Sequence, residues 1–340
     1  MIPLHEINTI PEGLLDVTDA KTLHKIMPHP TLMHLEGEKK EPLFVTVLLH
    51  GNEDTGLFAV QRLLQKYEGR TLPRSLSVFF GNVYAAKEGL RRLEGQPDYN
   101  RVWADGEYQN SGEAEMIAEV TRIVTGMKPF ASVDIHNNTG KNPHYGCINR
   151  LTPDFLYLAS LFGRTVVFFE TPRGVQSMAL AEHCPAITIE CGKPGVEQGT
   201  AHAAEYVDTL LHLESFSHHE IRRSEVDVFH TAVRVTIPES VAFSFSDADA
   251  DLKLLPELEN DNFSELPAGT LFGRITPGSG ARFEAYDDDN RERSEEYFAV
   301  EDDEIRLKNP MMPSMITLDE RVIRQDCFCY LMERIALPEQ

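Results

Sequence analysis

Along the first two-thirds of the chain, short apolar runs alternate with stretches whose apolar residues return at helical spacing. Residues 42–49 (PLFVTVLL) are apolar and β-branched, bounded by charge before and Gly51 after, and predict a buried strand. Over 55–67, Leu57, Phe58, Val60, Leu63 and Leu64 mark one face of an amphipathic helix. Strands are predicted at 76–80, 131–135, 165–170 and 186–189, and helices at 113–124, 153–162 and 201–213. Ser111 is the expected cap of the helix over 113–124 and Gly126 its stop. Residues 81–109, rich in Gly, Arg and Asn, read as a loop. Strands alternating with helices predict an α/β domain around a largely buried sheet.

Beyond about residue 217 the helical period fades. Segments 226–237, 270–275, 297–300, 315–318 and 327–335 read as strands between acidic, Pro- and Gly-containing loops. The expected division is an α/β domain over 1–220 and a smaller β-rich domain over 221–340. Residues 287–304 are strongly acidic and read as a solvated loop or edge.

At 340 residues, with 41% hydrophobic and 25% charged positions, the chain has the composition of a globular protein with a sizeable core. A formal net charge of −22 argues against nucleic acid as a partner. No apolar run is long enough to span a bilayer, and the first residues lack the basic and apolar regions of a signal peptide. Five cysteines without a CxxC pair fit reduced thiols, so a cytoplasmic location is expected.

The chemistry collects at strand ends. His50-Gly51-Asn52-Glu53 follows the strand at 42–49, at the carboxyl end where open α/β sheets gather ligands. A His and a Glu three apart across a glycine turn can aim at one point, and imidazole with carboxylate suits Zn²⁺. HxxE alone is common and reads equally as a polar strand-to-helix turn. The strand at 131–135 runs into His136, a third ligand candidate, with Asp134 on the same strand face to orient its imidazole. A hydrogen-bonded structural histidine is the plain alternative. The strand at 186–189 ends in Glu190, a candidate general base beside a metal, or the partner of Lys193 or an arginine. Arg91 and Arg101 share the loop between these strand ends. Their geometry suits carboxylate recognition and polarisation of a carbonyl, although each alone could balance an acidic surface.

Taken in order, HGNE, the N-x-x-A…G-x-R…D-x-N-R loop, D-x-H and T-x-E-x-G-K resemble the succinylglutamate desuccinylase/aspartoacylase family over residues 43–195. The resemblance implies a zinc carboxypeptidase-like (M14) fold: a mixed β-sheet flanked by helices, with a smaller C-terminal β-rich domain. It implies one Zn²⁺ per chain held by His50, Glu53 and His136, with Glu190 as general base and Arg91 polarising the amide carbonyl. Asn100 and Arg101 match the pair that grips the substrate carboxylate, and Tyr286 in FEAY is similar to a substrate-facing tyrosine of the second domain. Val83 stands where the family usually has proline, and the interval from Arg91 to Asp98 is longer than usual. Residues 177–184 carry no arginine for the acyl carboxylate; Arg173 lies farther upstream. The loop 137–146 adds unusual polarity after His136.

The expected activity is zinc-dependent hydrolysis of the amide bond of a small N-acyl amino acid. A metallocarboxypeptidase or peptide amidase acting on short peptides would use the same ligands and base, and a non-catalytic α/β binding protein would use none. Neither membrane nor nucleic acid is expected as a partner; a homo-oligomer is left open.

Overall fold

The computed structural model describes residues 2–216, 225–246 and 249–337, so the expected boundary at 220/221 lies outside the described residues. The chain divides into two compact units, one of Met1–Asn137, His144–Asp227 and Leu337–Gln340, the other of Asn138–Pro143 and Val228–Ala336.

The first unit is built on a mixed sheet of β1 (His5–Ile7), β2 (Thr31–Leu35), β3 (Gly37–Val47), β4 (Leu72–Phe80), β5 (Ala131–His136), β6 (Tyr145–Ile148), β7 (Thr165–Phe168) and β8 (Ala186–Glu190). Their spatial order is β1-β2-β4-β3-β5-β8-β6-β7. The central strands β4, β3, β5 and β8 are parallel, whereas β2 runs antiparallel to β4 and β6 to β8. Around them lie α1 (Thr55–Lys66), α2 (Val83–Glu88), α3 (Gly112–Gly126), α4 (Pro153–Phe162), α5 (Gln176–Leu180) and α6 (Glu197–His212). Among the described residues no helix is long and apolar enough to cross a membrane.

Strand alternation gives this sheet two unlike faces. On one, Val47 and Ile135 pack so tightly against α1 that a Cβ on Gly56 would come within 2.8 Å of Val47 Cγ1. The other is polar. Thr46 pairs with Asp134, Asp134 with Thr188, and His136 with Glu190, so these side chains share one face near the carboxyl ends. Short α5 covers part of it: Gln176 Nε2 donates to Ser132 Oγ at 2.6 Å, and Thr188 Oγ1 meets Ser177 Oγ at 3.1 Å.

Several boundaries depart from the sequence reading. β4 begins at Leu72 rather than 76 because Arg74, an unexpected core residue, is buried over the Phe130 ring and bonds the carbonyls of Glu41 and Leu213. β3 begins at Gly37, its charged first half being exposed. The expected loop over 81–109 contains α2, capped by Asn82, whose Oδ1 accepts from Ala85 N at 3.1 Å. Ser111 caps α3 as expected, accepting from Ala114 N at 3.1 Å.

The second unit carries β9 (Asp227–Thr236), β10 (Phe243–Ser244), β11 (Leu252–Leu254), β12 (Leu271–Ile275), β13 (Glu284–Tyr286), β14 (Phe298–Glu301), β15 (Glu304–Leu307), β16 (Met312–Ser314) and β17 (Cys329–Arg334). Antiparallel β13 and β17 pair with β9, and β16 pairs with β17; β10-β11-β12-β15-β14 form a five-stranded sheet. Phe272, Phe283, Phe298 and Phe328 form its aromatic core. The strand expected at 315–318 is not formed: Met315 takes a left-handed φ of 66°, and the strand is β16 just before it. Asp319 then caps a short helix, Glu320–Gln325, that the sequence pattern did not predict. The acidic stretch over 287–304, read as a solvated loop or edge, holds a helical turn (Ser294–Tyr297) and β14, which lies at the edge of the five-stranded sheet.

Candidate active site

The turn carrying His50 and Glu53 is shaped by its backbone. Past β3, Leu48 adopts a left-handed φ of 57°, Glu53 N bonds His50 O at 3.1 Å, and Gly51 N bonds Arg91 O at 3.0 Å. Gly51 lies against α2 so closely that a Cβ there would sit 2.2 Å from Ala86 N, which leaves glycine as the residue that fits. The chain then enters α1, and His136, the last residue of β5, arrives beside the turn.

His50, Glu53 and His136 meet in a buried cluster whose donor atoms lie within 4.8 Å of one another. Each oxygen of Glu53 faces one imidazole: His50 Nδ1 at 2.8 Å and His136 Nδ1 at 2.7 Å. The far nitrogens are held by separate carboxylates, His50 Nε2 by Asp98 at 2.9 Å and His136 Nε2 by Asp134 at 2.8 Å. Asp134 in turn accepts from Thr46 Oγ1 across the sheet. Asn137 fastens the surroundings: its N–H donates to Glu53 Oε2 at 3.0 Å, its Oδ1 accepts from Thr55 N at 3.3 Å, and its Nδ2 donates to Gly192 O at 2.8 Å.

The electrostatics follow. Burial disfavours the Glu53 carboxylate, but the two imidazoles outweigh it and hold its pKa well below the usual carboxylate range. Burial likewise opposes the His136 imidazolium, yet Asp134 and Glu53 push its pKa well above the ordinary value. Asp98 is driven down by His50, Arg91 and Arg101 against the effect of burial. Such a cluster concentrates negative charge behind and between two neutral-capable imidazoles. A His₂Glu donor set with each imidazole backed by a carboxylate fits a catalytic zinc, which takes about three protein ligands and leaves a position open.

The remaining expected residues fall as follows. Glu190 ends β8 half-buried, in register with His136 on one side and Tyr145 on the other. Arg91 approaches the cluster, its guanidinium 3.4 Å from Glu53 Oε1 and 3.3 Å from Asp98 Oδ2. Asn100 is buried: Nδ2 lies 3.4 Å from His136 Nε2, and Oδ1 accepts from Gln176 N at 3.1 Å. Arg101 donates to Asn100 O at 2.7 Å. Arg173 is exposed beside Gly174, whose tight packing on the Arg101 backbone would bring a Cβ to 2.6 Å from Arg101 O. Tyr286 belongs to the second unit, on β13, and its hydroxyl donates to Glu284 at 2.9 Å. Sequence reasoning passed over Asp98 and Asn137 as site residues; the D-x-N-R spacing was the available signal for Asp98. The five cysteines are free thiols.

Residues 41–217 match the family model of the succinylglutamate desuccinylase/aspartoacylase catalytic domain. No curated protein matches the chain by sequence. Among solved structures, the chain is similar to the succinylglutamate desuccinylase of Chromobacterium violaceum, with a TM-score of 0.59 and 16% identity, covering 88% of this chain and 86% of that one. It is also similar to murine aminoacylase 3 (TM-score 0.56, 16% identity, 88% and 96% covered). A third is the product-bound ectoine utilization protein of Ruegeria pomeroyi (TM-score 0.58, 16% identity, 90% and 88% covered). These likenesses show the fold, the mixed sheet flanked by helices with a smaller β-rich part.

Proposed function

We propose that this chain, which belongs to the succinylglutamate desuccinylase/aspartoacylase family, is a zinc-dependent hydrolase that cleaves the amide bond of a small N-acyl amino acid. The observation that carries the reading is the meeting of both Glu53 oxygens with two imidazole Nδ1 atoms, each ring backed by its own carboxylate. His50, Glu53 and His136 would hold the ion. When bound, zinc supplies a Lewis acid and lowers the pKa of water from ~15.7 toward about 7.

The other groups supply proton transfer and orientation. Glu190, one strand away from His136, takes the proton of the attacking water and later delivers it to the departing amine. Arg91 carries the cationic N–H donors nearest the cluster and stabilises the oxyanion that develops on the carbonyl oxygen. Arg101 and Asn100 receive the substrate carboxylate, Arg101 through its planar donors. The murine and Chromobacterium proteins are named for aminoacylase and desuccinylase activity, which supports this substrate class.

Metal analysis of the purified protein should find about one zinc per chain. Turnover compared on N-acetylaspartate, N-succinylglutamate and short peptides should favour the acyl amino acids. Glu190→Gln should retain the metal and lose turnover by the factor of about 10² to 10⁴ assigned to a general base. A chain without stoichiometric metal, or a fully active Glu190→Gln, would refute the reading.

A further inference from the structure

The polar loop that leads into β6 ends at His144, a residue the proposed chemistry does not use. His144 Nδ1 lies 2.8 Å from Nδ1 of His202 on α6, both rings half-buried, with ring centroids 5.0 Å apart. From this geometry we infer that His144 and His202 form a second metal site, separate from the catalytic cluster, for a borderline divalent cation such as Zn²⁺ or Cu²⁺.

The distance fits one ion. With imidazole bonds of about 2.0–2.1 Å, two nitrogens on a single metal stand roughly 2.9 Å apart at a right angle and about 3.3 Å apart at the tetrahedral angle. The pair is within a few tenths of an ångström of the first arrangement. The rings are also preordered. His202 stacks on Phe162 with centroids 4.4 Å apart and planes 6° apart, and Phe162 meets Tyr206 edge-on. Tyr206 is itself anchored by its hydroxyl on Leu158 O at 2.9 Å. His144 Nε2 stands over Gly192, where a Cβ would come within 3.4 Å of it. Little rotamer freedom is left to lose on binding.

The protonation state is suitable as well. Burial and the neighbouring His202 both lower the pKa of His144, so its imidazole is neutral at physiological pH. In the metal-free pair one Nδ1 donates to the other. On binding, that proton moves to the Nε2 of its own ring, and both Nδ1 lone pairs ligate. Among the described residues no third His, Cys, Asp or Glu reaches these atoms, so water fills the remaining positions. Two nitrogens without a carboxylate favour Cu²⁺ over Zn²⁺ by the usual affinity order. The ion would tie α6 to the strand in register with Glu190, next to the turn that follows that residue.

The test is calorimetric titration of the protein, already loaded with its catalytic ion, with ZnCl₂. A further equivalent should bind, and His144→Gln and His202→Phe should each weaken it at least tenfold. His202→Phe preserves the stack on Phe162, which guards against loss through unfolding, and melting curves check that both variants fold. Failure of the first equivalent would count against the catalytic cluster only. Absence of any further equivalent in the parent, or its persistence unchanged in both variants, would overturn the second site.

Discussion

Replacing Asp134 tests whether the carboxylates behind the imidazoles are part of the proposed metal site. Asp134 is fully buried; one oxygen accepts from Thr46 Oγ1 and the other lies 2.8 Å from His136 Nε2. Asparagine keeps the volume and can still accept from His136, while the Thr46 hydroxyl turns to accept from the amide. The charge is what disappears. Removing such an outer partner weakens metal binding about 10–100-fold, or roughly 1.4–2.8 kcal/mol. Alanine goes further, leaving two buried donors without acceptors at about 1–3 kcal/mol each, so affinity should fall in the order Asp, Asn, Ala.

Competition against a chromophoric chelator measures the affinities, and thermal melting of the metal-free proteins supplies an independent readout. In the metal-free fold His136 sits well above its ordinary pKa, held there by Asp134 and Glu53 against burial. The stability this contributes is fully present below the unfolded value of about 6.5 and is lost as pH rises through the folded value. Asp134→Asn should therefore cost the metal-free protein more at about pH 6 than in alkaline solution. Metal affinities within twofold of the parent in both variants, with the fold intact, would refute the argument.

Asp98→Asn should weaken metal binding by a similar factor of about 10–100, since Asp98 backs His50 as Asp134 backs His136; the same chelator competition reads it. Gly51→Ala puts a methyl 2.2 Å from Ala86 N, a backbone atom that cannot step aside, and should destabilise the protein by about 3 kcal/mol or more. Its melting temperature should drop and its metal affinity with it; an unchanged melt would mean that α2 is not pressed against the turn. Phe283→Ala removes a fully buried ring stacked on Phe328 at 5.1 Å and should cost about 3–5 kcal/mol in unfolding experiments, with the metal content of the chain retained.

Much of the first unit was legible because its central strands are buried on both sides and its helices carry a regular apolar stripe. β5, α1 and α4 lie within a residue or two of their expected bounds. Elements whose burial depends on distant partners were not legible. The first half of β4 carries Arg74, whose place in the core depends on Phe130 and on carbonyls from two other segments. The short strands of the second unit, three or four residues each in several cases, give period-2 patterns too brief to separate from loop.

The candidate site divides in the same way. Residue types and their places at strand ends are local properties, so His50, Glu53, His136 and Asp134 could be named from the chain alone. Strand alternation is local too, which put Asp134 and His136 on one face. Which nitrogen faces which oxygen was decided only by the fold. It took the parallel register of β3, β5 and β8, the Gly51 turn pressed against α2, and the loop returning Asp98 to His50 to converge groups as far apart in sequence as His50 and His136, separated by 86 residues. Pairing of that range carries no signature in any single segment, because each hydrogen bond depends on a partner that only the packed sheet brings within reach.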